Sequence, residues 1–291
     1  MLTIIKPRLF FIFFFLSLFV GLDPGQVEAG QHNFWISQNF QAAEGAVTPW
    51  QPSDLAEYID ELDASDDTSV FSAGGNVSTW NGQELVVVAF QQTGASQPTH
   101  NQTSDFVEYN NDFFQLSGAT GIQSLMFLVS DFDASNENSD LCALISDDAA
   151  GGNNSYIFLS NTLAYTASID GESSDNTGDM TINGYDLEPG DGSGTNISYS
   201  DLSGYSPFPD HATKDIIYFQ IDSAETFQLL GRVFFGSNYY TADGGSRIYD
   251  VIFMNGALSE SDRQKLEGWM AHKWGIESQL KTGHPYKSAA P

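Results

Sequence analysis

The sequence predicts an all-β fold: an antiparallel β-sandwich with a short C-terminal helix. Three observations predict it. Short apolar or alternating runs recur between loops rich in Gly, Asn, Asp and Ser. Helical periodicity is confined to one strong segment near the C-terminus and one weaker segment after Pro52. No repeat of roughly 20–50 residues is visible, which argues against a solenoid or propeller.

Taken in chain order, residues 1–29 read as a secretory signal. Lys6 and Arg8 precede an almost wholly apolar run from Leu9 to Leu22, and Val27-Glu28-Ala29 suits cleavage before Gly30. That run of 14 residues is short against the roughly 20 that a spanning helix needs. The expectation is a secreted or cell-surface chain of about 260 residues with no membrane span after signal cleavage. It would comprise an N-terminal extension over 30–46 and one domain over 47–291.

Pro52 to Leu62 starts with helix-opening residues and is expected to form a short helical stretch. Strands are expected at Leu85–Phe90, Leu125–Val129, Leu141–Ile145, Tyr156–Leu159, Leu163–Ile169, Asp215–Ile221, Thr226–Arg232 and Arg247–Met254. Ile216–Ile221 is a near-continuous apolar run, as expected for a sandwich core strand. Asp170-Gly171 is a tight-turn signal, and the acidic, Gly-rich segment from Gly171 to Gly194 reads as long loops.

The helix is expected over 259–274. Ser259 is a good N-cap, with Asp262 three residues on as a weak capping-box partner. Leu266, Trp269, Met270, Lys273 and Trp274 follow at i, i+3, i+4, i+7 and i+8. Lys273 lies in the last turn, and Gly275 stands where a left-handed residue ends a helix.

The net charge is −28, and its distribution is uneven. Residues 30–213 hold 27 Asp and Glu and no Lys or Arg, whereas residues 214–291 hold 9 acids and 8 bases. Phosphate contacts need cations, so nucleic-acid binding is excluded over most of the surface. Anionic membranes and sulfated or uronic polymers are disfavoured for the same reason. Calcium, a neutral glycan, or a basic cell-surface or assembly protein remain as partners, beside plain solubility in a salty medium. Cys142 is the only cysteine, so no intrachain disulfide can form, and its apolar setting suits a core residue better than a nucleophile.

The segment Ala257-Leu258-Ser259 with Arg263, Lys265, Glu267-Gly268, Ala271-His272-Lys273-Trp274-Gly275 and His284-Pro285-Tyr286-Lys287 resembles a family ending. That ending belongs to concanavalin A-like (laminin G-like) jelly-roll domains of secreted bacterial and phage structural proteins. Thr48-Pro49-Trp50, Leu62-Asp63-Ala64-Ser65-Asp66 and Val77-Ser78-Thr79-Trp80-Asn81 resemble the family's opening. Ser168–Gly171, Leu230-Gly231-Arg232 and Ile248–Met254 resemble its middle and penultimate strands. The resemblance implies an antiparallel jelly-roll β-sandwich, with binding of carbohydrate or another surface ligand and calcium at the rim. The departure is at Glu84–Phe90, which looks strand-like where the family has Gly-containing polar residues.

No catalytic pattern emerges from the residues. Retaining glycosidases need two carboxylates about 5 Å apart, which on one strand means an alternating Glu-x-Asp-x-Glu, and none exists. The acids of Tyr58–Asp63 are clustered at the wrong spacing, in a segment that reads as helical or as a linker. No Gly-x-Ser-x-Gly elbow accompanies the five histidines, and no His pair has zinc spacing.

The expectation is therefore a binding module without enzymatic activity; a structural or adhesive subunit of an extracellular or virion assembly is the alternative, and a glycan hydrolase or lyase the third and least favoured class. Asp131, Asp133, Asn136 and Asp140 gather oxygen ligands for calcium after a strand, although the loop fails as an EF-hand. Tyr239, Tyr240, Trp35 and Tyr205 are candidate sugar platforms, since ring faces stack on the apolar faces of pyranoses. Trp50 and Trp80 are expected to be packing residues.

Overall fold

The computed structural model describes residues 49–130, 141–147, 156–160, 165–168, 177–186, 213–235, 238–241 and 245–291. A 3-10 turn at Pro52–Asp54 leads into β1 (Tyr58–Asp63), β2 (Val70–Ala73), β3 (Asn76–Asn81) and β4 (Val88–Phe90). Then follow β5 (Thr99–Asn101), β6 (Phe106–Tyr109), β7 (Phe114–Ser117), β8 (Thr120–Ser130) and β9 (Leu141–Ser146). Next come β10 (Tyr156–Ser160), β11 (Tyr165–Ser168), β12 (Thr177–Ile182), β13 (Tyr185–Asp186) and β14 (Asp215–Thr226). β15 (Leu229–Leu230), β16 (Arg232–Phe235), β17 (Asn238–Thr241) and β18 (Ser246–Met254) precede the helix α1 (Glu260–Trp274).

The pairings of these strands are all antiparallel. One half of the sheet runs β11-β10-β9-β15-β7-β4-β3, with β2 on β3; the other runs β5-β6-β18-β8-β14-β12-β13, with β1 on β18. A short junction at Asn76↔Thr99 joins β3 to β5. Trp80, Phe114, Leu116 and Leu230 of the first half share one core with Leu125, Phe127, Phe219 and Phe253 of the second. The protein is thus an all-β sandwich with a single C-terminal helix among the described elements.

The second half is apolar on both faces. Leu125, Phe127, Ile217, Phe219, Val251 and Phe253 face the inter-leaf core, whereas Met126, Leu128, Ile216, Tyr218, Ile252 and Met254 pack under α1 with Leu266, Met270 and Ala271. This explains the near-continuous apolar reading of β14 and β18, because a strand covered on both sides has no polar face to alternate with.

Three expectations about elements are corrected. Pro52–Leu62 is helical for one turn only, after which Tyr58–Asp63 becomes β1 along β18. Tertiary pairing outweighs the local helix signal. Leu85–Phe90 is a strand only from Val88, because residues 82–87 form a turn. Gly171–Gly194 contains β12 and β13, joined by Asn183-Gly184 with φ of 51° and 78°, a two-residue turn that the acidic composition obscures.

α1 matches its prediction closely. Ser259 accepts a hydrogen bond from the Asp262 backbone N–H, and Gly275 ends the helix at φ 67°. Its buried set also includes Arg263, Glu267 and Gly268, a charged and small strip beside the expected apolar one.

Phe127 is completely buried between the leaves. Phe127→Ala is expected to cost about 3–5 kcal/mol, measured as a lowered urea midpoint with an unchanged m-value.

Candidate functional site

The patches that carry the family resemblance meet in space. The Trp80 indole N–H donates to the Asp63 carbonyl at 3.3 Å, tying β3 to the end of β1. Asp63 lies opposite Asp250 in the β1–β18 ladder. The Lys273 ammonium, reaching down from α1, contacts Glu61 at 2.5 Å, Asp250 at 2.7 Å and Asp63 at 2.9 Å. The Trp274 indole donates to the same Asp250 oxygen at 2.9 Å.

Glu61 and Asp63 converge because they sit two apart on a strand, where alternate residues share a face. The helical expectation for this segment concealed that spacing. Asp250 is fully buried, and its Oδ1 has no hydrogen-bond partner. Burial, and then repulsion from Glu61, push its carboxyl well above the usual carboxylate range, against the pull of Lys273. Burial alone would lower the Lys273 ammonium, but Asp250, Glu61 and Asp63 raise it well above the usual lysine value. The gap that a substrate would need between the carboxylates is filled by the ammonium, so the cluster holds the helix.

A second cluster secures the other flank of α1. Arg263 pairs with Glu267 at 3.0 Å and with Asp186 of β13 at 2.9 Å, while His284 contacts the buried Glu267 at 3.1 Å. Burial would lower the Arg263 guanidinium, and Glu267 and Asp186 push it up. Thr181 of β12 donates to Glu267, and His272 contacts the Tyr286 carbonyl at 2.8 Å. Gly268 is required here, since a Cβ on it would lie 2.3 Å from the Tyr286 Cβ. The tail residues therefore form a latch.

All eight cations of residues 214–291 have internal partners. Lys214 sits between the Tyr249 and Trp274 rings at 4.3 and 4.5 Å, Arg232 over Phe113, and Arg247 against Glu108 and Phe106. Lys265 pairs with Asp262, Lys281 with Asp186, and Lys287 donates to the carbonyls of Ser278 and Leu280. Burial lowers the Lys214 ammonium.

A different feature joins β1 to a turn of the other leaf. Asp60, fully buried, accepts from the backbone N–H groups of Glu61, Glu84, Val86 and Val87 at 2.7–2.9 Å. The carboxylate fits only because residue 82 is Gly, whose Cβ would fall within 2.5 Å of it. The clamped turn holds Leu85 at φ 59° with its side chain 70 % exposed. Beside it, β2, β3, β4 and β7 place Val70, Trp80, Ala89 and Leu116 in one buried inward row. Their outward rows are Phe71-Thr79-Phe90-Gln115 and Asn81-Val88-Ser117, half-buried to exposed.

Tyr239 and Tyr240 lie on β17 opposite Phe234 and Val233 of β16, a hairpin beside β9. Trp35, Tyr205, and the calcium candidates Asp131, Asp133, Asn136 and Asp140 lie outside the described residues, as do 1–46. Trp80 is fully buried and Trp50 packs under α1. Among the described residues, no three His, Cys, Asp or Glu groups are placed to hold a metal ion. No helix among them is long and apolar enough to cross a membrane.

No known family model matches the chain, and no curated protein is similar to it. Solved structures of Trypanosoma rangeli sialidase are similar to part of the chain, at TM-scores below 0.5. A mutant displaying trans-sialidase activity aligns at 11% identity and a TM-score of 0.41, covering 78% of this chain and 34% of the sialidase. The sialidase in complex with sialic acid aligns at 15% and 0.41, covering 76% and 35%. The chain thus spans about a third of the length of these proteins. The expectation that the chain is not an enzyme is corrected by this finding, since the matched proteins are enzymes. At such identity and TM-score the similarity assigns no activity to this chain.

Lys273→Met leaves three carboxylates without their counter-ion and is expected to cost about 3–5 kcal/mol. Thermal unfolding would show this as a fall in Tm of roughly 2–4 °C for each kcal/mol. The raised Asp250 favours the folded state fully below about pH 4, and that contribution is lost as pH rises through its elevated value. Asp250→Asn is therefore expected to flatten the decline of Tm between pH 4 and 9 relative to the wild type.

Proposed function

We propose that this chain is an extracellular recognition domain of the concanavalin A-like type that binds carbohydrate or another cell-surface ligand. The observation that carries the reading is the meeting of the resemblance patches. Leu62–Asp66, Trp80 and the Ala271–Gly275 segment make one cluster through the Trp80–Asp63 and Lys273–Asp63 contacts. Residues matching a family's motif are thus engaged with one another. The charge map supports a neutral ligand. Each cation of the described domain has an internal partner, so a phosphate, sulfate or uronate would meet a surface dominated by carboxylates. Calcium held by Asp131, Asp133, Asn136 and Asp140 belongs to the same proposal, with oxygen ligands suited to that ion.

The test is a glycan array followed by calorimetry on the full chain, in calcium and in chelator. Binding to neutral glycans is expected, with none to polyanionic ones, and chelation is expected to weaken it at least tenfold. Silence in both conditions overturns the reading, and binding indifferent to chelator removes calcium from it.

A further inference from the structure

Four neighbouring strands, β2, β3, β4 and β7, contain no Asp, Glu, Lys, Arg or His, in a chain with a net charge of −28. Among the described residues, the large apolar side chains left exposed are Phe71, Leu85 and Val86, at 52%, 70% and 49%. All three belong to this leaf or to the Asp60-clamped turn at its end. Scattered single apolar residues are ordinary, but Phe71 on an uncharged four-strand face, with Leu85 and Val86 in the adjoining turn, marks a contact surface.

We infer that this face binds an uncharged, extended polysaccharide chain. Phe71 and Phe90 lie in one cross-strand row with Thr79 between them, and Gln115 completes the row. Two strand spacings separate the backbone positions of the two phenylalanines, roughly 9.5 Å, so sugar rings two apart along an extended chain can lie over both. Each phenyl offers an apolar face to a pyranose, while Thr79, Gln115, Asn81 and Ser117 offer neutral donors and acceptors for its hydroxyls. An anionic polymer gains nothing on such a face and is repelled by Asp66, Asp67 and Glu84 at its end. A preformed platform loses little freedom on binding. β2, β3, β4 and β7 are held from behind by the buried Val70-Trp80-Ala89-Leu116 row, and the turn is fixed by four hydrogen bonds to Asp60.

This assignment rests on the recognition reading above and moves the site from the predicted tyrosine hairpin to the open sheet. The full chain is tested against swollen cellulose, chitin and mannan, with alginate as the polyanionic control. Phe71→Ala and Gln115→Ala alter exposed side chains, so both are expected to keep the wild-type Tm. Phe71→Ala is expected to weaken binding at least tenfold and Gln115→Ala severalfold, with wild-type binding unchanged in 0.5 M NaCl. Wild-type affinity in both variants, loss confined to Tyr239→Ala or Tyr240→Ala, or a tenfold fall in salt each overturns the assignment while leaving glycan recognition standing. Failure of the wild type to bind any of the three neutral polymers overturns it as well. The array then decides whether the recognition reading falls too.

Discussion

The Lys273 ammonium is the contact on which the rest of this structure depends. It is the point where a helix from the only basic part of the domain meets an edge strand and a central strand of an acidic sandwich. Three carboxylates so close together would repel one another in a buried setting, and one cation makes their convergence tolerable. The same contact brings Trp274 onto Asp250 and leads through Asp63 to Trp80 in the inter-leaf core. Removing the cation would leave buried charge without compensation, a larger penalty than the loss of a surface pair.

The cation economy of the chain follows from this arrangement. Eight Lys and Arg residues serve the whole domain, and each is engaged with a carboxylate, an aromatic ring or backbone carbonyls. The acidic surface is therefore left uncompensated, and the surfaces without acids become distinctive. The four-strand face bearing Phe71 and Phe90 is one of them. That contrast between a charged body and a neutral face says more about function than the fold does, because a fold of this class hosts many activities.

Much of the fold was legible in the sequence, and what was not has physical causes. α1 could be read to the residue at both ends because Ser259 and Gly275 act locally. The strands β8, β14 and β18 could be read because burial on both faces makes them continuously apolar. The strands β2, β3, β5 and β7 escaped because their Ser-, Thr- and Asn-rich outward positions dilute the apolar pattern and each is only 3–6 residues long. The site was less legible still. Glu61 and Asp63 were visible as acids, but their convergence with Asp250 depends on β1 being a strand. The Asp60 clamp depends on a turn 24–27 residues away. Gly268 and Tyr286 carried a usable signal, since both stand in the tail motif, yet only the close approach of their backbones and side chains gives that motif its meaning.

Native-state hydrogen exchange of the unmodified protein tests the latch most directly. If Lys273 and Glu267 fasten α1 to the sandwich, the amides of Leu266–Ala271 open with the same free energy as those of Val251–Met254 beneath them. A helix that opens several kcal/mol more easily than that strand would contradict the latch.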